Sequence, residues 1–347
     1  MIFSWRKKET MARAHLSFPS NAVANQLVAG VPAAVRAGIA LKERAALAEG
    51  DSVLIAASDG WSPSEWSTSE FARLLPTNGV EAYEPPARAP QETVEGVDAI
   101  ELLCGSHSAS PQRALCALGA DILKATGKPS DGLVSRYLNR PISRSISRVL
   151  LKIPGVTPIH ATGLAAFTGL LMAAALLFGG AQGLIAGALL FHAASVIDGV
   201  DGEIARATMR SSQFGAKLDT ITDGITNLAF LCFASLNLYW QGDIEGASYG
   251  AIGLGILATG LTALGLRSVA MGGPFTFDAV KNNFRARPSK ITSFLAAITS
   301  RDVYAAIFAL TFVLGFAREM LLIFACATAI WLVTVLAVLV RTSARQS

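Results

Sequence analysis

The chain has 347 residues, of which 52% are hydrophobic and only 16% charged, with a formal net charge of +4. Ordinary soluble domains carry roughly 25% charged residues, so the composition excludes a wholly soluble globular protein, and so small a net charge gives no footing for a nucleic-acid partner. Cys104, Cys116, Cys232 and Cys326 lie far apart without a CxxC pair, which points to buried reduced thiols and away from disulfides or zinc.

In chain order, MIFSWRKKET leads into no apolar stretch, so no secretory signal is expected. Residues 1–127 carry frequent charges and prolines and read as a small α/β cytoplasmic domain. The pattern predicts a helix at Ala33–Ala48, a buried strand at Ser52–Ala57 and a short helix at Thr68–Leu75 capped by Ser67 or Thr68. It also predicts strands at Glu81–Tyr83 and Ala99–Cys104, and a helix at Ser110–Thr126 capped by Ser110. Asp59-Gly60-Trp61-Ser62-Pro63 reads as an exposed turn. Gly30, Gly38 and Gly60 are isolated, and no phosphate-binding P-loop is present.

Residues 128–347 read as a membrane domain. Its first segment, SDGLVSRYLNRPISRSISRVLLKIP, places Arg136, Arg140, Arg144, Arg148 and Lys152 at four-residue intervals, near one helical face. Leu133, Tyr137, Leu138, Ile142, Ile146, Val149 and Leu150 fill much of the rest, and Pro141 kinks the helix or starts its second part. Such an amphipathic helix lies in the membrane interface, either as a positive-inside anchor or as a binder of anionic head groups.

Six apolar spans follow at approximately 161–178, 182–200, 219–240, 249–270, 302–317 and 319–340. A helix needs about 20 residues to cross the hydrocarbon core, so the fifth is short. Arg206, Arg210 and Lys217 fall between spans two and three; Lys281, Arg285, Arg287, Lys290 and Arg301 fall between spans four and five; Arg341 and Arg345 follow span six. The opposite turns carry only Arg318, beside Asp243 and Glu245. This asymmetry predicts an inner or plasma membrane protein with both termini cytoplasmic.

The densest chemistry lies where spans two and three approach the cytoplasm. Asp198 and Asp201 are three apart, and Asp219 and Asp223 four apart, so each pair shares a helix face, and the intervening turn can bring both pairs together. Four carboxylates at a membrane boundary repel one another and lose hydration, which a hard divalent cation offsets. Oxygen donors suit Mg²⁺ or Mn²⁺, and Mg²⁺ commonly shares its coordination with substrate phosphate. The bland reading of these acids is a set of helix caps and ion pairs with Arg206, Arg210 and Lys217.

Asp198-x2-Asp201-Gly202-x2-Ala205-Arg206-x8-Gly215-x3-Asp219-x3-Asp223 resembles the signature of the CDP-alcohol phosphotransferase family at every fixed position. The resemblance covers about 128–347 and implies a mainly α fold, with a six-helix bundle preceded here by the small α/β domain. It implies transfer of a substituted phosphate from a CDP-linked donor to an alcohol acceptor with release of CMP, and homodimers are common in the family. Residue by residue, it makes Asp198, Asp201 and Asp219 metal ligands. Asp223 becomes both a metal contact and the base for the acceptor hydroxyl. Gly202, Ala205, Arg206, Ser212 and Gly215 become the nucleotide-binding set. Thr157, Pro158 and Thr162 match the family's entry to the first span, with Ile159 in place of the usual Asn; Thr162 joins the nucleotide set. His160 and His192 lack a metal-spaced partner and read as helix-contact histidines.

LVSRYLNRPIS with its Arg-rich continuation, and Ser300-Arg301-Asp302-Val303-Tyr304, are similar to the membrane half of di-myo-inositol phosphate phosphate synthases. That likeness implies a polyol-phosphate acceptor such as inositol phosphate, with Arg267, Lys281, Arg287, Lys290 and Arg301 as candidates for its phosphate; the simpler reading of each, which comes first, is a positive-inside loop charge. In those proteins a cytidylyltransferase domain precedes the membrane domain. Residues 1–127 lack its LAAGxGxR loop and read as a shortened, non-catalytic nucleotidyltransferase-like relative used for docking or regulation. Three alternatives stay open: a phospholipid synthase taking CDP-diacylglycerol, a non-catalytic membrane scaffold, and a transporter with buried aspartates. The last is disfavoured because its acids would sit at mid-span.

Overall fold

The computed structural model describes residues 13–44, 46–83, 97–105, 110–128, 131–132, 134–270 and 300–343. Contacts divide the chain into two compact units, Met1–Thr126 with Ser147–Val156, and Gly127–Ile146 with Thr157–Ser347.

In the first unit, strands β1 (Arg13–Phe18), β4 (Ser52–Ala57), β5 (Gly79–Ala82) and β6 (Val97–Asp98) form a parallel sheet in the order β5-β4-β1-β6. The apolar run Val53-Leu54-Ile55 is buried, as expected of a strand covered on both faces. Helices α2 (Ala33–Glu43) and α3 (Glu65–Leu74) cross between successive parallel strands, and the fourth strand adds on the far side of the first, a doubly wound order. Between β1 and α2 along the chain lie the single-turn helix α1 (Asn21–Ala24) and the hairpin β2 (Leu27–Val28) and β3 (Val31–Pro32).

Several sequence expectations change here. Strand β1 was not anticipated, because RAHLSF alternates too briefly to stand out. Ala99–Cys104 is helix α4, not a strand: Asp98 Oδ1 accepts the N–H groups of Ile100 (2.8 Å) and Glu101 (3.1 Å), and Gly105 closes the helix at φ 76°. A six-residue apolar run fits either period, and the cap decides. Helix α3 begins earlier than expected because Ser64 Oγ accepts the Ser67 N–H (3.0 Å). Trp61 is buried edge-on against Phe71, so the Asp59–Pro63 turn is not wholly exposed. Helix α5 (Pro111–Ala125) follows Ser110 as expected.

The second unit is helical. A π-helical turn, Ser135–Asn139, leads into α6 (Arg140–Leu150), whose residues from Ser147 onward fall in the first unit, and this wide turn precedes Pro141, which has no N–H for a regular ladder. Then come α7 (Pro158–Phe178), α8 (Gly180–Ala207), α9 (Gln213–Trp240), α10 (Ile244–Ala270), α11 (Arg301–Val313) and α12 (Ala317–Ser343). Among the described residues, α7, α8, α9 and Ile244–Arg267 of α10 are long and apolar enough to cross a membrane. Helix α11 has 13 residues, about 20 Å at the ordinary helical rise, short of a roughly 30 Å hydrocarbon core. The thiols also differ from expectation: Cys116 and Cys326 are free and exposed, and Cys104 and Cys232 are free and half-buried.

Helices α7 and α8 form a tight hairpin. A Cβ on Gly183 would stand 2.1 Å from the Ala175 carbonyl oxygen, so only glycine permits this approach. Asn237 of α9 donates to the carbonyl of Leu176 (2.6 Å), an acceptor that the end of α7 leaves open, and to that of Gly180 (3.0 Å) at the start of α8. Gly183→Ala is expected to destabilise the protein by about 1–3 kcal/mol through overpacking against backbone, read as a lower thermal midpoint in detergent. Toward the middle of the bundle, Phe191 and Phe230 stack at 4.2 Å, with Phe308 of α11 edge-on to both.

Candidate active site

The site grows from two antiparallel helices. Helix α8 carries Asp198 and Asp201 near its end, a turn through Met209 (φ 54°) reverses the chain, and α9 starts at the cap Ser212, whose Oγ accepts the Gly215 N–H (3.0 Å). One turn in, α9 presents Asp219 and Asp223. Carboxylate oxygens of Asp198, Asp219 and Asp223 all lie within 4.8 Å of one another. Asp201 (8% exposed) stands beside this trio and turns Oδ2 to the Thr162 hydroxyl of α7 (2.8 Å). Thr162 thus meets a signature acid directly.

A cation already sits among these acids. Arg301, at the start of α11, ion-pairs with Asp223 through Nη1, which also lies 3.4 Å from Asp198 Oδ1; its guanidinium carbon stands 5.9 Å from the Phe191 ring centre. Asp302, the next residue, accepts from the Ser195 hydroxyl of α8 (2.9 Å) and the Asn139 amide of the π-helical turn (3.1 Å), which pins the start of α11 beside the acids. One arginine does not balance four carboxylates. Asp219 Oδ1 is buried without a hydrogen-bond partner among the described residues. A hard oxygen donor left open beside two further carboxylates fits a divalent cation.

The remaining expected residues fall around this centre. Gly202 carries the Arg206 guanidinium folded back over it, with a hypothetical Cβ only 3.0 Å from Arg206 Nη1. Ala205 is half-buried and its carbonyl accepts the Arg210 N–H across the turn (2.8 Å). Arg267 lies half-buried near the end of α10. Lys281, Arg287 and Lys290 lie outside the described residues. His160 Nδ1 accepts the Thr157 N–H (3.1 Å) as a helix-capping contact, as its reading as an ordinary helix residue requires.

One expectation about the basic helix is overturned. Arg140 does not face outward with Arg136 and Arg148; it is 7% exposed. Its Nε and Nη2 grip both oxygens of Asp131 (2.8 and 3.1 Å), and its Nη1 reaches Glu203 of α8 (3.0 Å), a residue with no exposed surface. Ser143 donates to the same Glu203 oxygen (2.7 Å). Four-residue spacing groups side chains but does not say which of them turns inward; here a buried acid on another helix decides. Burial pushes the Asp131 carboxyl up, yet the two-pronged Arg140 contact outweighs it and holds the group below the usual aspartate range. Glu203, Asp302, Asn139 and Asp131 were all missed by motif reading. The available signal was an extra acid, Glu203, inside an otherwise apolar helix face.

Residues 156–339 match the family described as CDP-alcohol phosphatidyltransferase, over half of the chain. The chain belongs to the CDP-alcohol phosphatidyltransferase family. This membership, with four helices among the described residues able to cross a bilayer, makes it an integral membrane protein of the CDP-alcohol phosphotransferase class. Among curated proteins it is similar to the "Bifunctional IPC transferase and DIPP synthase" of Aquifex aeolicus, 39% identical over 108 residues (31% of this chain, 24% of that protein). The protein of the same description from Thermococcus kodakarensis is 36% identical over 129 residues (36% and 28%). The one from Archaeoglobus fulgidus is 34% identical over 125 residues (36% and 24%). The matches span about a quarter of the length of these relatives.

Proposed function

We propose that this family member transfers a substituted phosphate from a CDP-linked donor to a hydroxyl of a polyol-phosphate acceptor such as inositol phosphate, releasing CMP. The observation that carries this reading is the convergence of Asp198, Asp219 and Asp223 beside Asp201 at the joint of two helices, with Arg301 against Asp223. Asp198, Asp201, Asp219 and Asp223 would hold Mg²⁺ or Mn²⁺, which when bound offsets charge on the donor pyrophosphate and the departing CMP. Asp223 takes the proton of the acceptor hydroxyl. The freed oxygen attacks the phosphorus distal to the cytidine, a new P–O bond forms, and the pyrophosphate P–O bond breaks with its electron pair leaving on CMP. Arg301 would hold the acceptor phosphate close to that base, a reading supported by its ion pair with Asp223, with Arg267, Lys281, Arg287 and Lys290 as further candidates. Thr162, Gly202, Ala205, Arg206, Ser212 and Gly215 form the nucleotide side, where the bare Gly202 lets Arg206 lie flat.

In this reading α11 and α12 complete a six-helix bundle with both termini and the acids on the cytoplasmic side, and two copies pair as homodimers. The π-helical turn and α6 lie along the membrane surface: Tyr137 is 72% exposed, and Leu138 and Ile142 are also exposed, with Arg136 beside them. The N-terminal unit is a nucleotidyltransferase-like relative without its own catalysis. Its doubly wound sheet supports that kinship, and the loop after β1 lacks a Gly-rich cradle; there the Asn21 N–H is taken by Asp59 (2.5 Å).

The test is CMP release by the purified full chain with Mn²⁺ and a panel of CDP-donors and alcohols. CMP formed with inositol phosphate as the acceptor is the expected result. CMP formed from CDP-diacylglycerol with glycerol phosphate would reassign the chain as a phospholipid synthase. No CMP from any pair would leave a membrane scaffold.

A further inference from the structure

The acid centre has a basic neighbour that the family signature does not contain. The Lys128 N–H donates to Asp131 Oδ2 (3.0 Å), and the Asp131 N–H donates back to the Lys128 carbonyl (3.0 Å). The Asp131 carboxylate is the one gripped on both oxygens by Arg140, and Arg140 is anchored to Glu203, two residues beyond Asp201 on α8. Arg140 Nη1 also lies 3.5 Å from the Gly199 carbonyl, between Asp198 and Asp201. A chain of directed contacts, from an exposed one at Lys128 to a buried one at Glu203, therefore ties the backbone of Lys128 to the helical turn that bears two of the signature acids.

The side chain it delivers is free to act. Lys128 is exposed and makes no ion pair among the described residues, while its charge acts on both Asp201 and Asp219. An ordinary solvated lysine has no need of a buried arginine with two carboxylates to hold its backbone. An ammonium is a compact, mobile point charge, which suits the oxygens of a phosphate arriving over a carboxylate cluster.

We propose that Lys128 binds the phosphate oxygens of a substrate at the acid centre, with Asp131, Arg140 and Glu203 as positioning residues that keep it there. This rests on the transfer reading above for the presence of a phosphate-bearing substrate. The phosphate belongs either to the nucleotide donor or to the acceptor, and the two share one chemistry.

The test reads binding without turnover. The full chain in detergent, loaded with Mn²⁺, is titrated calorimetrically with CDP and separately with inorganic phosphate. Lys128→Ala is expected to weaken one of the two by about ten- to hundredfold, the loss of a charge-assisted contact, while Lys128→Arg keeps most of the affinity. Loss for CDP assigns Lys128 to the donor, and loss for inorganic phosphate to the acceptor. The thermal midpoint of Lys128→Ala should not move, because the side chain is exposed. Asp131→Asn should weaken the same probe as Lys128→Ala and spare the other, a selectivity that a merely structural contact would not produce. Affinities of Lys128→Ala equal to wild type for both probes would overturn the proposal, as would a wild type that binds neither. A wild type that binds CDP yet never releases CMP would overturn the transfer reading and leave the Lys128 contact standing.

Discussion

Asp223→Asn is expected to lower CMP release by about 10²–10⁴-fold while binding of the CDP-donor stays within a few-fold of wild type. The amide keeps the size and shape of the carboxylate but cannot accept the hydroxyl proton, and the three other acids remain to hold the cation. Arg301 sharpens the expectation. It pairs with Asp223, so the variant removes the negative partner of a guanidinium proposed to grip the acceptor phosphate, and acceptor affinity is expected to change more than donor affinity. Turnover equal to wild type in a membrane assay would remove Asp223 from the role of base.

Arg140→Ala should have the largest effect on stability, about 3–5 kcal/mol, because it takes from the fully buried Glu203 the cation 3.0 Å from its carboxylate and from Asp131 its two-pronged partner. A double replacement, Arg140→Met with Glu203→Met, should recover part of that loss, since the fully buried carboxylate is then gone and only the Asp131 contact stays unmade. Midpoints of thermal unfolding in detergent give both numbers, and a single variant as stable as wild type would show that the buried cluster contributes nothing. The Asp131 contact also gives a pH dependence. A carboxyl held below its ordinary value stabilises the fold fully above the usual aspartate range and loses that contribution as pH falls through the lowered value. Wild type should therefore lose part of its stability on strong acidification, and Asp131→Asn should lose less.

The family was legible because its signature is local. Eight specified residues at fixed spacing on two consecutive helices need only the helical period and one reversal to meet, and both are written into the chain between Asp198 and Asp223. The four spans from α7 to α10 were legible for a similar reason: long apolar runs have no other place to go. The short elements of the N-terminal unit were harder. RAHLSF and AIELLC are each six residues, too few to separate a strand from a helix by period, and a cap at Asp98 and sheet neighbours on both sides of β1 decided them.

By itself, the sequence determined the family and the meeting of Asp198, Asp219 and Asp223 at one joint between two helices, because both follow from residues close together along the chain. Only the tertiary structure decided which basic residues turn inward and which of them meet the acids. Arg140 and Arg136 are equivalent by spacing, yet one is buried against Glu203 and the other exposed; Arg301, some eighty residues from Asp223 along the chain, meets it directly. Periodicity fixes which side chains share a face, but the partner of a buried charge is set by what packs across from it, and that information is distributed over segments that the chain brings together only on folding.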